Sequence, residues 1–78
     1  MTNEQIKKYN ELLKKHEILS KRYKELEVLE EKLEKNEKLS DEKRIENLEK
    51  LAQEYRKVAD LMEQITKEAQ ELSDSIED

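Results

Sequence analysis

Leucine recurs at every seventh position through the first half of the chain, at Leu12, Leu19, Leu26 and Leu33. A strict seven-residue apolar period marks a helix that keeps one side against another helix, since about 3.5 residues per turn holds that side in line over many turns. With the leucines at heptad position d, Tyr9, His16, Tyr23 and Glu30 fall at a. The second half shows its own period, with Ile45, Ala52, Ala59, Thr66 and Ser73 as the a series and Leu48, Tyr55, Met62, Ala69 and Ile76 as the d series. Glu, Lys, Leu, Ala and Arg make up 47 of the 78 residues, above the roughly one half expected of coiled coils and long helices. The fold class is therefore all-α.

The two periods are out of phase by one residue, which would turn the apolar stripe by about 100° around an unbroken helix. Boundary chemistry sits at the same place. Asn36 is a helix stop, and Ser40 or Asp41 is an N-cap followed by acidic residues that suit the first turn of a helix. Thr2 with Gln5 matches the capping box that starts a first helix. We read residues 1–78 as one unit, with helix 1 over about 3–36, a loop over 37–40 and helix 2 over 41–76. A short loop between helices each about 50 Å long makes them antiparallel. If facing residue numbers sum to 78, Leu33 meets Ile45, Leu26 meets Ala52, Leu19 meets Ala59 and Leu12 meets Thr66. These layers alternate with Tyr23 on Tyr55, His16 on Met62 and Tyr9 on Ala69, so large residues mostly meet small ones.

Charge fits this hairpin. Residues 1–39 carry 10 basic and 9 acidic groups, and residues 40–78 carry 6 and 12. Folding back lays the basic stretch 7–24 beside the acidic stretch from Asp60 to Asp74, with each exposed pair contributing a few tenths of a kcal/mol.

Several classes of chemistry are excluded or disfavoured. With no cysteine there is no disulfide framework, thiolate metal site or cysteine nucleophile. With no glycine there is no glycine-rich phosphate loop. The longest apolar runs are pairs such as Leu12-Leu13 and Val28-Leu29, so no membrane segment is expected and the chain reads as soluble and cytoplasmic. Neither a cofactor nor a metal is expected. His16 is the only histidine and reads as a polar core residue that sets register, with a pH-sensitive packing switch as the other reading. Glu30 is expected to lean out to Lys32 or Lys50 rather than act as a general base. The tyrosines read as core-edge rings whose hydroxyls reach water.

Two features are candidates for function. Leu51, Val58, Ile65 and Leu72, one heptad apart, fall at g, just outside the a and d seam. Three apolar positions per heptad is the pattern of a bundle helix covered from two sides. We expect this stripe to be a protein interface with a second copy, giving a homodimeric four-helix bundle. Cover by the alkyl stems of Lys8, Lys15 and Arg22 is the competing reading. The second feature is a basic ladder of doublets, Lys7-Lys8, Lys14-Lys15 and Lys21-Arg22. It is a candidate polar contact face, although a net charge of −5 favours a solvated face compensated by helix 2 and argues against nucleic acid as a partner. The acidic end from Glu71 to Asp78, with Ser73 and Ser75, reads as a frayed solvated terminus.

The stretch LSDEKRIENLEKLAQEYRKVADLMEQI, from Leu39 to Ile65, resembles the helical segment near the N-terminus of bacterial class I peptide-chain release factors. That family's Gly-Gly-Gln motif is impossible in a glycine-free chain, and the resemblance implies no activity here. The function expected from the residues is a non-enzymatic protein-protein interaction or regulatory module built on a self-associating hairpin. A small acidic inhibitor or nucleic-acid mimic is the alternative, and a designed coiled-coil scaffold is a second one.

Overall fold

The computed structural model describes residues 1–76. It consists of two long helices, α1 (Asn3–Lys35) and α2 (Asp41–Ile76), folded back on each other as an antiparallel hairpin. Its extents are 59 × 15 × 13 Å, a slender rod of nearly even cross-section.

Local chemistry sets each boundary. Thr2 is the N-cap of α1: its hydroxyl accepts from the Gln5 N–H at 3.2 Å, and the Gln5 side chain accepts from the Thr2 N–H at 2.8 Å. This is the reciprocal capping box expected from the sequence. At the other end Asn36 stops the helix in an extended conformation, φ −82° and ψ 94°, rather than through a left-handed cap. Its side-chain oxygen accepts from the Lys38 N–H at 3.1 Å, an Asx turn that directs the chain into the loop. Ser40 then caps α2, accepting from the Lys43 N–H at 3.3 Å, with Asp41 and Glu42 in the first turn. Arg44, one turn into α2, reaches back and donates to the Asn36 carbonyl at 2.8 Å. One of the carbonyls that every helix end leaves without an internal partner is thereby satisfied, and a cation sits at the negative end of the α1 dipole.

The core is a single row. Leu12, Leu26 and Val58 are buried, Leu26 to 1% exposure, and Leu19, Leu33, Leu51, Met62, Ile65 and Leu72 are half-buried. On α1 the leucine series faces α2 as expected. On α2 the inward row is Leu51, Val58, Ile65 and Leu72, flanked by Tyr55 and Met62. The expected a series points away: Ala52, Ala59, Thr66 and Ser73 are exposed, and Ile45 is 57% exposed. The layers Leu33 on Ile45, Leu26 on Ala52, Leu19 on Ala59 and Leu12 on Thr66 are corrected accordingly. Helix 2 is rotated so that the residue one place earlier in each layer turns inward. Area explains the rotation, because burying Leu, Val and Ile stabilises by about 1.5–3 kcal/mol per side chain and the Ala, Thr and Ser series offers much less.

The lengthwise register is nevertheless as read. Tyr23 and Tyr55, whose numbers sum to 78, meet edge to face with ring centroids 5.4 Å apart and an interplanar angle of 66°.

Candidate functional site

The rotation of α2 exchanges the two stripes of the sequence reading. The Leu51, Val58, Ile65 and Leu72 stripe lies along the α1–α2 seam inside one hairpin, with Val58 only 5% exposed. Left on the outside are Ile45, Ala52, Ala59, Thr66 and Ser73, with Leu48, Ala69 and Ile76 exposed beside them and Tyr55 and Met62 half-buried where this face meets the seam. None of these ten side chains is charged, in a chain where Asp, Glu, Lys and Arg are 47% of residues. Thr66 turns its hydroxyl back to the Met62 carbonyl at 3.0 Å, which leaves its methyl group to the surface.

The hairpin thus has two unlike sides. On the first, the uncharged face of α2 adjoins Tyr9, Leu13 and His16 of α1 across a groove shared with Thr66, Ala69 and Ser73. Farther along, Tyr55 donates its hydroxyl to Glu30 at 2.8 Å. Glu30 therefore bonds Tyr55 rather than Lys32 or Lys50, and Lys50 pairs with Glu46. Partial burial of the phenol, and then its bond to the Glu30 carboxylate, push the Tyr55 pKa up to about 12. His16 lies exposed on this side, not in a polar core layer.

On the second side Arg22 bridges the helices to Glu54 at 3.5 Å and pairs with Glu25 at 3.2 Å. Lys57 beside Glu54, followed by Arg22, holds that carboxyl below its ordinary value. Toward the loop this side opens a groove between Leu26, Leu29, Leu33, Leu39 and Leu51.

The basic ladder is less compensated than its neighbourhood implied. Arg22–Glu54 is the only ion pair between the helices among the described residues, the others being three or four residues apart on one helix. Lys7, Lys8, Lys14, Lys15 and Lys21 have no carboxylate within ion-pair distance among those residues. Of the acidic end, Glu71, Ser73, Asp74 and Ser75 continue α2; Ser75 donates to the Leu72 carbonyl at 2.7 Å and accepts from Gln5 at 3.2 Å, tying the two chain ends together. Residues 77 and 78 lie outside the described residues.

Among the described residues no group of three or more His, Asp or Glu side chains is placed to hold a metal ion, and no helix is long and apolar enough to cross a membrane. Compared with protein-family models, curated proteins and solved structures, the chain finds no match. What fold and surface define is an α-helical hairpin with one charge-free helix face.

Proposed function

We propose that the chain is a non-enzymatic protein-protein interaction or regulatory module that acts by self-association of its hairpin, two copies forming a four-helix bundle. The observation that carries this reading is the imbalance between core and surface. Three large apolar side chains are buried and twelve are exposed. A fold of this size rarely gains enough from its own core, and oligomerisation is one of the usual remedies. Three of the four exposed large apolar side chains of α2, Ile45, Leu48 and Ile76, fall on one uncharged face, whereas most monomers scatter such residues singly.

Light scattering during size exclusion tests the proposal, at low salt and at about 1 M salt, where charges are screened beyond about 3 Å. A mass twice the 9.4 kDa of the chain at both salts is the expected result, since an apolar interface persists when charges are screened. A monomer at both overturns self-association. A dimer that dissociates in salt would place the contact on the charged surfaces instead.

A further inference from the structure

We infer that the uncharged face of α2 packs antiparallel on the same face of a second copy, about a twofold axis level with Asp60 and Leu61. This rests on the self-association proposed above and specifies its geometry. Three observations converge on it. The first is self-complementarity. When the series is reversed on itself so that facing numbers sum to 121, Met62 meets Ala59, Tyr55 meets Thr66 and Leu48 meets Ser73, with Ala52 on Ala69 between them and Ile45 on Ile76 at the ends, each pair occurring twice because a twofold interface is isologous. In the two layers nearest the axis, and again at Leu48, bulk fills the space left by a small residue, as close helix packing requires. A parallel pairing sets each residue against its own copy, Tyr55 on Tyr55 and Ala59 on Ala59, giving clashes at one level and voids at the next.

The second observation is charge. The α1 residues on this side include Glu30, and Glu27 is near enough to influence Tyr55. Placing α2 on α2 at the centre keeps those carboxylates at the rim, where water solvates them, while an α1-centred contact would bury them at high cost. The antiparallel sense also keeps the acidic half of α2, where Glu63, Glu68, Glu71 and Asp74 face a single Lys67, away from its own copy. The third is area. One side of a rod 59 Å long and 15 Å wide presents about 900 Å², close to the roughly 800 Å² per partner of a standard stable interface.

The closing experiment is disulfide trapping at the centre of the face, where cysteine costs the hairpin little because Ala59 is exposed and Met62 half-buried. A tagged A59C chain and an untagged M62C chain are mixed, equilibrated and oxidised. We expect the mixed A59C–M62C product in about tenfold excess over either like-with-like product, as the distance requirement of a disulfide demands. A59R, which sets a charge at the centre of the face, is expected to yield a monomer with unchanged helicity. A dimer by light scattering that yields mainly like-with-like or no cross-links, or one that survives A59R, overturns this face and leaves self-association standing. A wild-type monomer overturns both.

Discussion

The Tyr55 hydroxyl donates to the Glu30 carboxylate at 2.8 Å, joining the two helices on the side where the Tyr23 ring stands edge-on to Tyr55. Because the folded-state pKa of Tyr55 lies at about 12, above the ordinary 10.0, the folded chain holds this proton more tightly than the unfolded chain does. The contribution is complete below pH 10 and is lost as pH rises toward 12. Phenolate absorbance should show one of the three tyrosines ionising about two units late, and Y55F should remove that late step. If the ionisation that Y55F removes from the three-tyrosine profile of the wild type is an ordinary one, the bond does not form in solution.

Leu26 and Val58 hold the middle of the seam. L26A should destabilise the hairpin by about 2–5 kcal/mol, whereas I18A, at a position 67% exposed, should stay within about 0.5 kcal/mol. V58D should abolish the helical circular dichroism signal at every protein concentration, because it buries an unpaired charge inside the hairpin. Retention of helicity by V58D would place Val58 outside the seam.

Arg44 closes the loop end by donating to the Asn36 carbonyl, while its Nε is buried without a partner. R44A should cost about 0.5–1.5 kcal/mol, and R44K should recover only part of it, since a lysine keeps the charge at the helix end but not the planar donor set. Amide exchange over residues 33–36 should speed up selectively. Uniform acceleration along both helices would assign the effect to global stability.

Glu54 links Arg22 of α1 to Lys57 of its own helix. Its lowered pKa means that the folded form favours the ionised carboxylate, so the contribution is present above the ordinary carboxylate range and is lost as pH falls through it. With both partners about 40% exposed, E54Q should lower stability at neutral pH only slightly, and the difference should vanish at about 1 M salt. Chemical denaturation in urea, which adds no ions, measures it.

The Asx turn at Asn36, the Ser40 cap and the Thr2–Gln5 box are interactions between residues two or three apart. They could be read without knowing what packs where, and the helix boundaries follow from them. The register that sets Tyr23 on Tyr55 was legible for a related reason: a five-residue connection leaves two antiparallel helices little freedom to slide. Leu12, Leu19, Leu26 and Leu33 were equally plain, because α1 has one strong apolar series.

Helix 2 was harder because it carries three adjacent series, and periodicity specifies the arc they cover without saying which edge of it turns toward a partner. The bulk of the side chains was the available signal: the Leu51 series is made of Leu, Val, Ile and Leu, and the Ala52 series of small residues. The bond from Tyr55 to Glu30 follows from the same rotation and had no sequence signal of its own.

That this chain is two helices, where each begins and ends, and how far along each other they lie follow from local hydrogen bonds and loop length, and so are written in the order of the residues. Which face of α2 lies within the hairpin and which remains outside is fixed by packing between the helices. That choice is a competition between two stripes for one partner surface, settled by the apolar area each removes from water.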